Sequence, residues 1–378
     1  MKSIERFNKI CSYQMPDRFP VDYLAHPETD RNLKKFFGVN TEKELLDILG
    51  SDFYYLSCRD ISQNEGYMKY HKAGKKDLSE TERTCSLGIR WHRQAYESKF
   101  WVDEAIRGPL ENAATAADII RHEWPKAADF DFSDLAAEAE EHSERVIVGG
   151  LWSGIMGDSY RMHGFQNFLM NIAVEPELIK TLIDRTTEMY LELNDKYFSQ
   201  LKNRMQVWFF GNDFGSQNGL LFSPDMWYGF FFENIEKLTS LAHSYGLKVM
   251  MHSCGAVKQI IPWLIKAGVD ILDPIQVTAW GMAPLELSRE FGGKIIFHGG
   301  VDTQNVLPSA KPHEVENHAM DTIKGLGAHG GYIFAPSQIL GPDIPVENIE
   351  AMYKVGTGLN KLTANCNSKE NSDITKGV

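Results

Sequence analysis

Short apolar runs recur along the chain, most of them followed by a polar turn and then by a segment with helical spacing. VWFFG at 207–211 is one such run, and it gives way to the polar NDFGSQNG. Behind it, SPDMWYGFFFENIEKLTSLAHSYG reads as one bounded helix, with Ser223 as N-cap, Pro224 at the first helical position and Gly246 as the stop. LKVMMH predicts the next strand and VKQIIPWLIKAG the next helix. DILDPI, APLELSREFGG, KIIFHGGVD, PHEVENHAMDTIKGLGAHG and GYIFAP continue the alternation. Earlier strand candidates stand at FPVDYLA (19–25), DFYYLSC (52–58) and VIVGGLW (146–152). Eight strands alternating with helices of ten or more residues predict an α/β protein, a (β/α)8 TIM barrel rather than an open sheet.

One stretch breaks the rhythm. Between about 66 and 140 the chain holds LGIRWHRQAYESKFWVDEAI, which predicts a hairpin, and the acidic helix SDLAAEAEEHSERV. This reads as an insertion after the second strand, leaving a single barrel domain over 1–365 and a polar C-terminal tail over 366–378.

Composition narrows the classes of function. The 378 residues are 43% hydrophobic and carry a formal charge of −12, which argues against attraction to nucleic acid or to an anionic membrane. The five cysteines, Cys11, Cys58, Cys85, Cys254 and Cys366, are odd in number and widely spaced, so no disulfide framework is expected and a reducing cytoplasm is. The N-terminus lacks the apolar run of a signal peptide, and no run approaches the roughly 18 apolar residues of a membrane span. The sequence contains no GxGxxG after a strand, no GxxxxGK[ST], no HExxH and no CxxC, which leaves dinucleotide, P-loop and zincin chemistry without support.

Barrel enzymes gather their chemistry at the carboxyl ends of the strands. The polar residues there are His26 and Glu28, Arg59 and Asp60, Asp158, Tyr160 and Arg161, Asn212 and Asp213, His252 and Cys254, Asp273 and Gln276, His298 and Asp302, and Ser337 and Gln338. His252 and Cys254 sit two apart in an extended segment, so both side chains face one way, as two zinc ligands would. A core cysteine beside a hydrogen-bonded histidine has the same spacing. Asp213 suits an acid/base group, a further metal ligand or a turn aspartate. His298 precedes Gly299 and Gly300, which would admit a ligand close to the backbone; a buried structural histidine reads the same way. Arg59 and Asp60 suit either a substrate contact or a local ion pair. The run WYGFFF lies in a helix and reads as packing.

MPDRFPVDYLAHPET, GNDFGSQNGLLFSPDMW, MMHSCG, IFHGGVDTQNVL and GGYIFAPSQILGPDIPVENIEAMY together resemble the uroporphyrinogen decarboxylase superfamily over roughly residues 15–356. The resemblance implies a (β/α)8 barrel with a small-molecule cleft at the mouth, and a homodimer. Two chemistries are known in it. True decarboxylases bind a polycarboxylate porphyrinogen without metal, using an arginine-rich N-terminal loop and an aspartate that Asp60 matches in position. Here the loop is YLAHPETDRNL, with Arg31 its one arginine. The other branch, corrinoid-dependent methyltransferases, carries His-x-Cys and a later Cys as zinc ligands. His252 and Cys254 match the first two, while Gln338 (or Ser337) stands where the third cysteine is expected, so an oxygen ligand such as Asp213 would have to complete the site.

The resemblance therefore implies first a zinc-dependent methyltransferase moving a methyl group between a corrinoid and a thiol. The corrinoid would ride on a partner protein and sit near Gly299, Gly300 and the helix start at Ser223. An alternative is a metal-free decarboxylase of a porphyrinogen or other polycarboxylate, with Asp60 stabilising a cation and Arg59, Arg161 and His298 holding carboxylates. A third reading is a non-catalytic tetrapyrrole- or corrinoid-binding protein. Candidate catalytic residues are Asp60, Asp213 and His298. Candidate substrate contacts are His26, Arg59, Arg161, Gly299, Gly300, Asp302 and Gln338.

Overall fold

Apolar runs buried on both faces form strands only where other strands and helices cover them, and the predicted runs do so. The computed structural model describes residues 1–56, 76–77, 79, 81–96 and 100–358. Strand β1 is Phe53–Tyr55. It is followed in the chain by four antiparallel strands, β2 (Lys76–Asp77), β3 (Glu82–Thr84), β4 (Arg90–Tyr96) and β5 (Phe100–Arg107), which form a separate sheet. Then come β6 (Val146–Trp152), β7 (Val207–Gly211), β8 (Lys248–His252), β9 (Ile271–Ile275), β10 (Ile296–Val301) and β11 (Tyr332–Pro336). These join β1 in one seven-stranded sheet of order β1-β6-β7-β8-β9-β10-β11, every pair parallel. Helices in the crossovers make the architecture α/β, a curled parallel sheet of the TIM type.

The run 19–25, expected as a full strand, is instead two isolated bridges, Val21 to Phe334 and Ala25 to Leu340. Pro20 has no N–H to extend a ladder. The segment still touches both edges of the sheet: Asp22 N–H donates to the Phe334 carbonyl at 2.9 Å, and Asp52 N–H donates to the Val21 carbonyl at 2.7 Å. β1 covers only the start of the expected 52–58 run, whose end lies outside the described residues, as do Arg59, Asp60 and the 366–378 tail.

Helix starts follow the local chemistry. Thr41 and Glu44 form a capping box for Glu42–Leu49, which ends at Gly50 in the left-handed region (φ 62°). The Ser223 side chain accepts from Met226 N–H, as expected, and Pro224 opens the helix. Its middle, Tyr228–Phe232, winds as a π-turn before the helix runs on to Ser244. Phe231 and Phe232 are buried, so this aromatic run is packing. Among the described residues no helix is long and apolar enough to cross a membrane.

Candidate metal centre

The carboxyl ends of β7 and β8 are tied together by main chain. Asn212 N–H donates to the His252 carbonyl at 2.9 Å, and Ala256 N–H donates to the Ser216 carbonyl at 2.8 Å. Gly215 and Gly255 lie back to back: a Cβ at Gly215 would stand 2.7 Å from the Cys254 carbonyl oxygen. Gly255 is also left-handed, at φ 86°, and its N–H donates to Gln276 Oε1 at 2.8 Å. This close seam brings Asp213 on one loop against His252 and Cys254 on the other. The ligand atoms of the three lie within 4.8 Å of one another. His252 Nε2 is 3.3 Å from Asp213 Oδ1, and the Cys254 thiol donates to that oxygen at 3.4 Å.

Behind the cluster runs a buried line of alternating acids and imidazoles. His252 Nδ1 is 2.6 Å from Asp273 Oδ2. The other Asp273 oxygen lies 2.6 Å from His298 Nδ1, an ion-pair contact rather than an aligned hydrogen bond. His298 Nε2 is 2.9 Å from Asp22 Oδ2, which also accepts from Tyr55 Oη at 2.5 Å. Burial disfavours charge on both histidines, yet the partners prevail. Asp213 and Asp273 hold the His252 pKa well above its ordinary value, and the Asp273 charge with the Asp22 hydrogen bond lifts His298 to about 9. Burial likewise pushes the carboxyls up, and the imidazoles outweigh it: Asp213 falls to about 2, and Asp273 is held well below the carboxylate range.

A cavity of about 210 Å³ opens onto this line, walled by Trp152, Phe209, Pro274 and Gln338, with Arg161, Asp213, His252 and His298 lining it. Trp152 and Ser153 are successive non-glycine residues in the left-handed region, at φ 65° and 38°. Such conformations cost about 1–3 kcal/mol each and persist where the surroundings enforce them. Asn194 Nδ2 donates to Ser153 Oγ at 2.9 Å, and the Trp152 ring occupies the space over Gly211, where a Cβ would meet it at 2.3 Å. The indole consequently stands 5.3 Å from the His252 ring, centroid to centroid. Arg161 is anchored by Asp158 at 3.4 Å and stacks on Tyr160 and on Trp91 of β4.

Of the residues singled out in the sequence, Asp213, His252 and Cys254 come together, and Arg161, His298 and Gln338 share the cavity with Asp213 and His252. Others take different tasks. His26 caps the helix Pro27–Phe37, accepting from Glu28 N–H, and is not among the cavity-lining residues. Asp302 caps its own loop through the N–H groups of Gln304 and Asn305. Gly299 and Gly300 are buried and left-handed (φ 95° and 100°), are not among the cavity-lining residues, and a Cβ on Gly300 would meet Leu326 at 2.7 Å. Ser337 is turned away to Thr303, leaving Gln338 at the cavity. Asp22 and Trp152 are absent from the sequence candidates, and Asp273 stands there only as a strand-end polar residue with no role assigned. The signal for Asp22 and Asp273 was an acid inside an apolar run, FPVDYLA and DILDPI.

The curled parallel sheet, with this cluster at the carboxyl ends of its strands, defines an α/β protein of the TIM type. Residues 132–357 match the family described as Uroporphyrinogen decarboxylase (URO-D), and the chain belongs to that family. Among solved structures, a methyltransferase from Methanosarcina mazei superposes with a TM-score of 0.67 at 15% identity, over 95% of this chain and 99% of that one. At that identity the likeness is one of fold. A protein described as a vitamin-B12 independent methionine synthase from Listeria monocytogenes reaches a TM-score of 0.41 at 11% identity, over 90% of this chain and 96% of that one, too low to carry an argument. No curated protein matches the sequence.

The donor set suits zinc: one imidazole nitrogen, one thiol sulfur and one carboxylate oxygen, with room for an exchangeable fourth ligand in the cavity. Asp273 on the far nitrogen of His252 is the outer carboxylate that metal-bound histidines commonly have.

Proposed function

We propose that the protein is a zinc-dependent methyltransferase that moves a methyl group between a corrinoid, carried on a partner protein, and a small thiol. The observation that carries this reading is the convergence of Asp213, His252 and Cys254 within 4.8 Å beside a cavity. Asp213 supplies the oxygen donor that the chain needs, because Gln338 stands where the methyltransferase branch has its last cysteine. Its scaffold is read as a single (β/α)8 barrel domain over 1–365, with the 19–25 segment in the place of a first strand and an insertion at about 66–140.

Zinc held by these three residues would supply a Lewis acid that favours the thiolate form of a substrate thiol. The chain's own residues do the rest. Asp273 fixes the His252 ring through Nδ1. Trp152 and Phe209 wall off water on one side, and Arg161 offers a cation to an anionic group on the substrate. The cavity volume, about 210 Å³, suits a small acceptor. Typical sites for drug-sized ligands run to roughly 300–1,000 Å³.

The competing decarboxylase reading draws support from Arg161, but it is the one arginine among the described residues lining the cavity. Several unpaired carboxylates there would cost on the order of kilocalories per mole each. The test is demethylation of methylcobalamin by a series of small thiols, followed by absorbance. Turnover by the zinc-loaded protein and its loss in Cys254→Ala are expected. No turnover with any thiol, alongside metal-independent release of carbon dioxide from a carboxylate substrate, would overturn the reading.

A further inference from the structure

The line behind His252 is longer than an outer shell needs to be. Asp273 spends both carboxylate oxygens, one on His252 Nδ1 and one against His298 Nδ1, each at 2.6 Å. His298 spends its other nitrogen on Asp22 at 2.9 Å. Asp22 in turn is fixed from three further sides. Tyr55 Oη donates to Oδ2 at 2.5 Å, Tyr23 N–H donates to Oδ1 at 2.7 Å, and Tyr353 Oη donates to the Asp22 carbonyl at 2.8 Å. All four members are buried, with 1%, 4%, 7% and 8% exposure for Asp22, His298, Asp273 and His252.

An imidazole held at one nitrogen can still swing with its partner. Here the partner cannot swing, because its second oxygen faces another imidazole that is itself pinned. His298 has an acid against each nitrogen, hydrogen-bonded at Nε2 and in ion-pair contact at Nδ1. Losing the carboxylate charge at Asp22 leaves His298 with a weaker partner, and that looseness passes to Asp273 and then to His252. Charged neighbours buried without partners are costly, so a loss at one end of the line is felt along it.

We propose that Asp22 and His298 are positioning residues that fix the His252 ring in the orientation where Nε2 faces Asp213 and Cys254. This rests on the metal-centre reading for its purpose, but the orientation itself can be tested without metal. Zinc affinity of the full-length protein is measured by competition with a chromophoric chelator, in wild type, Asp22→Asn and His298→Gln. Cobalt(II) absorption reports the ligand geometry, and far-UV circular dichroism reports folding. In metal-free protein, the proton on His252 Nδ1 is followed by nuclear magnetic resonance.

Folded Asp22→Asn is expected to bind zinc on the order of tenfold more weakly, the lower end of what losing an outer partner does. Its cobalt bands should shift, and its His252 Nδ1 proton should exchange with water faster than in wild type. Should Asp22→Asn not fold, His298→Gln is read by the same measures. Unchanged affinity, cobalt spectrum and proton exchange in the folded variants would overturn the proposal. If wild type takes up no metal, the zinc reading falls and the proton measurement alone decides: faster exchange in the variants sustains the positioning role, and unchanged exchange ends it.

Discussion

Asp273 Oδ2 stands 2.6 Å from His252 Nδ1, and that one contact turns the opposite nitrogen of the ring toward Asp213. It gives Asp273, inside the apolar strand β9, a direct hold on the His252 ring. Asp273→Asn keeps the shape and removes the charge between two buried imidazoles. Breaking a buried pair in this way costs about 3–5 kcal/mol, and loss of an outer carboxylate weakens metal binding about 10- to 100-fold. Thermal unfolding and chelator competition should register both losses. A variant with wild-type melting temperature and zinc affinity would contradict the assigned role.

The pH dependence of stability follows from His298. Its folded pKa of about 9 lies above the ordinary 6.5, because the Asp273 charge and the Asp22 hydrogen bond overcome the burial that would lower it. A raised pKa means the folded state holds the proton more tightly. The resulting stability is therefore complete below about pH 6.5 and is lost as pH rises through about 9. It is worth on the order of 3 kcal/mol. Denaturant midpoints measured from pH 6 to 10 should fall more steeply for wild type than for His298→Asn. Parallel curves would count against a charged His298.

Gly215 tests the seam between the Asp213 loop and the His252–Cys254 loop. An alanine there would place Cβ 2.7 Å from the Cys254 carbonyl oxygen and 2.9 Å from Ala256 N, both main-chain atoms that cannot move aside cheaply. Overpacking of this kind costs about 1–3 kcal/mol, and the displaced Cys254 should lower zinc affinity as well. Gly219→Ala, four residues on, meets nothing within 4 Å and should leave stability within about 0.5 kcal/mol of wild type. Equal behaviour of the two variants would refute the seam.

Much of the scaffold was legible in the sequence because strands buried on both faces must be written as apolar runs, and β6 to β11 were. The 19–25 run misled on the extent of pairing, since Pro20 and the buried task of Asp22 interrupt a ladder that hydropathy alone extends. At the site, His252 and Cys254 are legible as a pair because they stand two apart at one strand end. Asp213 is named in the sequence reading as the oxygen ligand that could join them, but the cause of their closeness, two loops packed glycine to glycine, is not legible there. Asp22 reads as a strand residue, and Asp273 as a strand-end acid with no assigned role, until the sheet places both beside His298. His26 and Asp302 each accept from a main-chain N–H two residues on, a local capping task that a strand-end position alone does not announce.

Whether Asp213, His252 and Cys254 form a metal site as proposed is decided by metal analysis of untagged protein purified without chelators. The account predicts about one zinc per chain in wild type, lost in Cys254→Ala while the variant stays folded. A folded wild type that takes up no zinc even after reconstitution would contradict it, and would leave the cluster as a hydrogen-bonded corner of the barrel.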